Sequence, residues 1–291
     1  MPSAAILRVA LRELATWERS PREPEPGLVM QEPEQVADYV RAGLEGGVMA
    51  PVYLFHCANI CEVIRPGDRV LDLACGPANQ LAMVARLNPE AQFVGVDLSE
   101  PMLEQARALV SQKGLTNITL RTLDITDLSD FPDASFDAVI STMALHHLPD
   151  ARSLDRAFAE AARVLKADGG VYLVDFGHLK SERSIRYFAQ QYDDRQPPLF
   201  AADYLNSLRA AFSVRDFRQA SVPLSNRASL HTTFLFPFMI AIKSPARRGE
   251  GVPAIMKRLE EMKNALPAWH QVDFADLRSF FRLGGLSCRY L

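Results

Sequence analysis

Short apolar runs and longer amphipathic stretches alternate along the middle of the chain, from residue 65 to residue 243. Five apolar runs have the length of a strand, and the longer stretches repeat apolar residues every three or four positions, as a helix does. The predicted strands are Arg69–Leu73, Gln92–Asp97, Ile118–Leu123, Phe136–Ser141 and Gly170–Phe176, and the predicted helices are Ala78–Leu87, Pro101–Gln112 and Asp150–Leu165. This alternation predicts an α/β fold, with a doubly wound, mostly parallel sheet covered by helices on both faces.

The end of this region is predicted to hold one more helix and two strands. The helix is Ala201–Ala211, and the strands are Phe212–Ala220 and His231–Lys243. Pro237 lies within the last strand, where a proline removes a ladder hydrogen bond. We therefore expect a bulge or an early strand end at this residue.

Residues 1–64 precede the sheet region and are predicted to form a helical arm and lid. Residues 1–20 are amphipathic, and Pro21–Pro26 is a stiff polar linker, so we expect the first helix to be separable from the core. Two further helices, Glu34–Arg41 and Val52–Ile64, flank a glycine-rich break at residues 43–47. The apolar face of the first helix consists of Leu7, Leu11, Leu14 and Trp17.

Two other segments add to the sheet region. Residues 179–200 follow the fifth predicted strand and are expected to form a cap that carries Tyr187 and Tyr192. Residues 244–291 form a C-terminal helical extension with helices at Pro253–Ala265 and Asp273–Arg282. The second of these helices has an apolar stripe that must pack on the core, a partner subunit or the substrate entrance. Its residues are Phe274, Leu277, Phe280 and Phe281.

The turn after the first strand indicates what the sheet edge binds. Asp72 lies in the strand, and Gly76 is the only glycine between it and the next helix. A dinucleotide turn needs three glycines so that the backbone can approach a pyrophosphate at the helix N-terminus. A pyrophosphate is therefore disfavoured here, whereas the carboxyl ends of two parallel strands still form a cleft for a nucleoside-like ligand.

The chain resembles the class I S-adenosylmethionine-dependent methyltransferases. Their first motif, Asp-x-Gly-x-Gly-x-Gly, is matched by Asp72, Ala74, Gly76 and Ala78, and the similarity continues over about residues 65–243. The resemblance implies a seven-stranded sheet of order 3-2-1-4-5-7-6. It also implies that S-adenosylmethionine is the cofactor and S-adenosylhomocysteine the product.

The same resemblance assigns the cofactor residues. Asp97 would hold the ribose hydroxyls, and Asp124 with the amide of Ile125 would hold the adenine. Asp72 would brace the first turn, near which the methionine amine needs carbonyls or a carboxylate. The full predicted set is Asp72, Ala74, Gly76, Asp97, Leu98, Met102, Asp124, Ile125 and Thr142.

Candidate catalytic residues follow the fourth strand. His146 and His147 lie where an acceptor would approach, and a histidine can serve as a general base near neutral pH. Quinone-type O-methyltransferases of this family place two acids and a histidine in this loop for a divalent cation. The matching positions here are Met143, His146 and His147, so two carboxylates are missing and no metal site is predicted.

Asp175 and His178, at the end of the fifth strand, are further candidates for the acceptor side of the site. Residues 28–64 and 179–200 are expected to close over the cofactor, since they enter and leave beside the carboxyl edge of the sheet. The predicted substrate and lid residues are Tyr53, His56, Met143, His178 and Tyr187.

The charge distribution bears on the substrate. The net charge is −3, and lysines and arginines are spread along the chain, which disfavours a nucleic-acid partner. We therefore expect methyl transfer to a small, partly apolar metabolite. Two alternatives stay open: a nicotinamide-dependent oxidoreductase of Rossmann type, and a protein of this fold that binds S-adenosylmethionine without transferring methyl.

The remaining expectations concern location and assembly. Four cysteines without a paired framework, and the lack of a secretion signal or spanning segment, predict a cytoplasmic protein with no membrane partner. Cys57 and Cys61 are one helical turn apart, and without a third soft ligand nearby in sequence we interpret them as buried apolar residues. A homodimer through the N-terminal arm or the C-terminal extension is left open.

Overall fold

One seven-stranded sheet organises the molecule. The computed structural model describes residues 4–17, 19–27, 29–248 and 252–291. The strands are β1 (Arg69–Leu73), β2 (Gln92–Asp97), β3 (Ile118–Thr122), β4 (Phe136–Thr142), β5 (Leu165–Phe176), β6 (Ser229–Thr232) and β7 (Met239–Lys243). Their spatial order is β3-β2-β1-β4-β5-β7-β6, with the first five parallel and β7 antiparallel to both of its neighbours. The predicted fold and strand order are confirmed.

Helices cover both faces of the sheet. In chain order they are α1 (Ala4–Ala15), α2 (Pro33–Ala42), α3 (Ala50–Val63), α4 (Asn79–Leu87), α5 (Glu100–Gln112), α6 (Ala151–Val164), α7 (Glu182–Gln190), α8 (Pro198–Ala210), α9 (Val214–Ala220), α10 (Pro253–Ala265) and α11 (Ala268–Leu283). Short 3-10 turns lie at Leu145–His147 and Val222–Leu224. Ser99 caps α5 by accepting a hydrogen bond from the Met102 amide, as its position before Pro101 predicts.

The two-residue period of the strands divides the core into two layers. In β1, Val70 packs in the layer on one side of the sheet, while Leu71 and Leu73 pack on the other. In β5, Tyr172 and Val171 divide in the same way. Because both faces are covered, these strands are apolar on both sides.

The edge of the sheet differs from the sequence prediction in two places. Residues 214–220, predicted as a strand, form helix α9. The Ser213 hydroxyl accepts a hydrogen bond from the Asp216 amide, and the Asp216 carboxylate accepts one from the Ser213 amide at 2.9 Å. This capping box favours a helix, and Phe217 and Ala220 then lie buried on one helical face.

The predicted last strand, His231–Lys243, is two antiparallel strands, β6 and β7, with Pro237 in the loop between them. Thr233 closes this loop: its hydroxyl donates to the Phe236 carbonyl at 2.8 Å and accepts from the Met239 amide at 3.2 Å. Leu235 has a φ of 70° in the same loop. The expected early strand end at the proline is confirmed, and the chain reverses direction there.

The N-terminal segment packs on the core. The Glu13 carboxylate accepts hydrogen bonds from the amides of Lys180 and Ser181, at 2.7 and 3.1 Å. Arg22 donates to four backbone carbonyls, which fixes the proline-rich stretch against the core; the acceptors belong to His146, Leu148, Pro149 and Ala210. The predicted apolar face, Leu7, Leu11, Leu14 and Trp17, is exposed. Residues 1–3 and 18 of the predicted first helix lie outside the described residues, as does Leu28 of the predicted lid.

The C-terminal extension packs against α3. The rings of Phe55 and Phe281 are stacked with their centroids 5.4 Å apart. Phe274 and Phe280 of the predicted stripe are also buried, and burying each phenylalanine side chain stabilises the fold by about 1.5–3 kcal/mol. Of the three destinations open for this stripe, the structure shows packing on the core.

Candidate functional site

A first cavity of about 240 Å³ lies at the carboxyl ends of β1, β2 and β4. Parallel α/β sheets bind ligands at such an edge, where the strand order reverses. All nine residues predicted to bind the cofactor line this cavity: Asp72, Ala74, Gly76, Asp97, Leu98, Met102, Asp124, Ile125 and Thr142. The structure therefore brings together residues that are spread over 70 positions of the chain.

The turn after β1 keeps a left-handed backbone at three positions. Ala74, Gly76 and Ala78 have φ angles of 55°, 53° and 62°. At positions 74 and 78, where the resembling family has glycine, an L-residue in this conformation costs roughly 1–2 kcal/mol. A Cβ at Gly76 would meet nothing within 4 Å, so glycine is favoured there by the backbone conformation and not by a lack of room for a side chain.

Two acids of the first cavity differ in their hydrogen bonding. The Asp97 carboxylate accepts from the amides of Gly76 and Ser99, both at 2.8 Å, and burial raises its pKa in spite of these bonds. Asp72 is buried, and within the described part of the chain no hydrogen bond to its carboxylate is found. Burial and the neighbouring Asp97 raise the pKa of Asp72 well above its usual range.

Helices α2 and α3 form part of the wall of the first cavity. Tyr39 and Tyr53 line it, as do Val29 and Met30 of the preceding segment. The Met30 carbonyl accepts a hydrogen bond from the Ser99 hydroxyl at 2.6 Å, which ties this segment to the start of α5. Tyr53, a predicted lid residue, thus lines this cavity together with Tyr39, for which the sequence predicts no role.

A second cavity of about 170 Å³ adjoins the first. The two share five lining residues: Val29, Met30, Tyr39, Met143 and His147. The second cavity is also lined by polar groups, including Glu25, His146 and Asp203, and by the rings of Phe176, Phe200 and Tyr204. It is therefore partly apolar, with several hydrogen-bonding groups beside the first cavity.

His146 is held by a buried carboxylate. Its Nδ1 lies 2.7 Å from Oδ1 of Asp175, and its backbone amide donates to Oδ2 of the same side chain at 2.7 Å. Asp175 is fully buried. A carboxylate can only accept, so Nδ1 of His146 carries the proton of this bond, and in the neutral ring Nε2 is then the nitrogen with the free lone pair.

Glu25 completes a cluster with the two histidines. Each of Glu25, His146 and His147 offers one ligand atom, and these atoms lie within 4.8 Å of one another. The Ser207 hydroxyl donates to Glu25 at 2.9 Å, and burial raises the pKa of this glutamate. Burial and the neighbouring His146 lower the pKa of His147 well below its usual range. Glu25 was missed because it lies more than 100 positions from the histidines and in a segment predicted to be a linker.

Three predicted residues lie elsewhere. His56 is buried on α3, where its Nδ1 lies 2.7 Å from the Tyr172 hydroxyl, so its expected lid position does not agree with the structure. His178 binds the Ser20 carbonyl through Nε2 at 2.7 Å and lines neither cavity. Tyr187 lines a third cavity. For His56 the local pattern could not separate the roles, because it lies one turn from Tyr53 on the same helix, α3.

Comparison with known families identifies the central region. Residues 70–169 match the family model described as a methyltransferase domain. This stretch contains β1 to β4 and most of the residues that line the first cavity.

Two curated proteins are similar over this region. A demethylmenaquinone methyltransferase of Symbiobacterium thermophilum is 39% identical over 107 residues, which are 36% of this chain and 41% of that protein. A 27-O-demethylrifamycin SV methyltransferase of Amycolatopsis mediterranei is 34% identical over 114 residues, 39% of this chain and 40% of that protein. The chain thus spans about two fifths of the length of the curated relatives it matches.

The fold is similar to that of a solved SAM-dependent methyltransferase from Aquifex aeolicus, with a TM-score of 0.51 at 15% identity. The superposition covers 74% of this chain and 98% of that one. Among the described residues, no helix is long and apolar enough to cross a membrane.

Proposed function

We propose that this chain is a class I S-adenosylmethionine-dependent methyltransferase and that it transfers the cofactor's methyl group to a small, partly apolar metabolite. The observation that carries the proposal is the pair of adjoining cavities. The first has the residues expected for the cofactor, and the second presents His146 and Glu25 among aromatic side chains. Methyl transfer needs two reactants held in line, and adjoining cavities provide that arrangement.

The donor groups of the first cavity fit the cofactor. The Asp97 carboxylate would accept from the ribose hydroxyls, and Asp124 and the Ile125 amide would pair with the adenine. The unpaired carboxylate of Asp72 is a suitable partner for the methionine ammonium group, because an unpaired buried acid is stabilised by a cation. When bound, the cofactor supplies an electrophilic methyl group on a sulfonium.

The acceptor chemistry assigned to the second cavity is O-methylation assisted by His146. Nε2 of His146 would accept the proton of an acceptor hydroxyl as the oxygen forms its bond to the methyl carbon. Asp175 would hold the ring in the required tautomer and stabilise the imidazolium that forms. His147, with its lowered pKa, would stay neutral beside it.

A small acceptor is supported by the second cavity's size and by its aromatic walls. Spread basic residues and a net charge of −3 disfavour a nucleic acid as the acceptor. The relatives named for demethylmenaquinone and demethylrifamycin act on partly apolar small molecules by those names. We extend the proposal to a cytoplasmic location, on the grounds of four free cysteines.

Calorimetry with S-adenosylhomocysteine and with NADH tests the cofactor assignment. Binding of the first and not the second is expected, and the reverse would favour an oxidoreductase. Incubation of the protein with methyl-labelled cofactor and a cell extract then tests the acceptor. Label is expected in small molecules. Label in RNA or protein would overturn the proposed substrate class, and cofactor binding without any transfer would overturn the enzymatic activity.

A further inference from the structure

A third cavity of about 270 Å³ lies on the far side of the second. It is bounded by α7, α11, the start of α3 and the loop between β6 and β7. Most of the side chains that line it are apolar or aromatic, among them Ile6, Val52, Phe188, Phe236, Phe238, Leu277 and Phe280. The insertion after β5 and the C-terminal extension, neither of which is part of the sheet, thus build a common apolar chamber.

The third cavity adjoins the second, and the two share part of their wall. Met49, Phe200 and Tyr204 line both. A methionine side chain is unbranched and adapts its shape readily, so Met49 is a wall residue that can move aside for a chain passing between the cavities. Small-molecule sites usually span roughly 300–1,000 Å³. The second cavity alone lies below this range, and the two cavities together fall within it.

We infer that the third cavity binds the apolar tail of the methyl acceptor, whose reacting head lies in the second cavity. This inference rests on the proposed function and specifies its substrate class: an amphiphile with a hydroxyl-bearing head and a hydrocarbon chain. The polar groups of the second cavity would recognise the head, and the tail would leave water for the apolar lining of the third. The wall that the third cavity shares with the second favours this occupant over a separate effector.

The chain contains a fluorescent reporter, Trp269, beside the third cavity. Tyr192 lines this cavity and donates a hydrogen bond to Asp273 at 2.5 Å, and the Trp269 ring lies 4.8 Å from the Tyr192 ring. Only one other tryptophan exists, Trp17, which is exposed. In a Trp17→Phe background, tryptophan emission therefore reports on this region alone.

The test measures the binding of 4-n-alkylphenols, from ethyl to octyl, to the full chain saturated with S-adenosylhomocysteine. Calorimetric Kd should fall about fourfold for each methylene, equivalent to ~0.8 kcal/mol, until the cavity is filled. Octylphenol should change Trp269 emission, and ethylphenol should not. The two phenols should compete, because their heads occupy the same second cavity.

A pair of variants on α11 locates the tail. Leu277→Trp fills part of the third cavity, while Leu283→Trp adds the same ring at an exposed position of the same helix. We expect Leu277→Trp to weaken octylphenol about tenfold or more and to leave ethylphenol within about twofold, since only the longer chain reaches residue 277. Leu283→Trp should change neither.

The inference is overturned if Kd does not depend on the length of the alkyl group, or if Leu277→Trp shows the same dependence of Kd on alkyl length as the wild type. It is also overturned if octylphenol and ethylphenol bind together without competition. The last result would indicate a separate apolar effector site. Methyl transfer is a separate measurement on the same complexes. If Kd depends on the length of the alkyl group and no phenol is methylated, the tail site is supported and the proposed acceptor chemistry is wrong.

Discussion

Replacing Asp97 by asparagine should separate cofactor binding from folding. In the wild type, the amides of Gly76 and Ser99 both donate to the Asp97 carboxylate at 2.8 Å. Asparagine has nearly the same shape but offers one acceptor oxygen instead of two. Its NH2 group must therefore face one of these two N–H groups, which then loses its acceptor. The variant also loses the charged acceptor proposed for the ribose hydroxyls. One bond of the turn and one or two to the ligand are therefore weakened together.

The size of the effect follows from these bonds. Hydrogen bonds to a charged group contribute about 1.5–3 kcal/mol each. Asp97 is only half-buried, so the lower part of this range applies, and the loss of two bonds to the ribose hydroxyls gives ~3 kcal/mol. The Kd for S-adenosylhomocysteine should rise by roughly 100-fold or slightly more.

Stability of the ligand-free protein should change much less than affinity. Burial raises the pKa of Asp97 above its ordinary value near 3.8, so the charged carboxylate costs folding free energy at neutral pH. The unfolded chain releases this proton first, and stability therefore falls as pH rises from 3.8 through the raised pKa. Asparagine removes this cost, which offsets the lost bonds, and thermal unfolding of the ligand-free variant should stay close to wild type.

Calorimetry and ligand-induced shifts in Tm measure the two effects separately. Asp127→Asn is a matched control, because Asp127 is an exposed acid that does not line the first cavity. Wild-type affinity should also weaken as pH falls through the raised pKa of Asp97, and affinity of the asparagine variant should not show this loss. An Asp97→Asn protein that binds within about threefold of wild type would refute the placement of the ribose.

Three further predictions concern the remaining parts of the site. Asp175→Asn should lower kcat by about 100-fold or more, because one of the two oxygens that accept from His146 becomes a donor and the negative charge that would stabilise the imidazolium is lost, while S-adenosylhomocysteine affinity stays unchanged; equal kcat would exclude a role for the pair. Chelators should leave activity intact, since His146 is proposed to hold a proton and not a metal, and a stoichiometric metal in the purified protein would contradict this assignment. Amide hydrogen exchange in residues 29–64 and 179–200 should slow when S-adenosylhomocysteine binds, while α1 changes little; exchange that is equal with and without ligand would show that these segments are fixed walls.

The sheet and the first cavity could be predicted because their signals are local. The central strands β1, β2, β4 and β5 contain mainly apolar runs, and Asp72 and Asp97 lie next to or at the ends of their strands. Parallel strands bring those ends to one edge without further information. The apolar pattern of each strand–turn–helix unit therefore predicts both the fold class and the residues that meet at this edge of the sheet.

The prediction of a strand at Phe212–Ala220 is wrong, although a local pattern in the sequence indicates a helix there. Phe212 to Ala220 has the apolar content of a strand, but Ser213 and Asp216 are spaced as a capping box. The box satisfies two backbone donors at the start of a helix, and the apolar residues Phe217 and Ala220 then fit a helical face as well as they would fit a strand. The edge strand of the sheet is instead β6, Ser229–Thr232, which precedes Pro237 and pairs with β7.

The acceptor side of the site could not be predicted from local patterns, because its groups come from segments that meet only in the folded chain. Glu25 reaches the histidines because Arg22 binds the carbonyls of His146 and Leu148, and no periodicity in the sequence encodes that contact. The third cavity likewise needs α7, α11 and the β6–β7 loop to assemble. The core that binds the cofactor is therefore encoded within single strand–turn–helix units. Specificity for the acceptor depends on the added segments, so substitutions there should change the substrate before they change cofactor affinity.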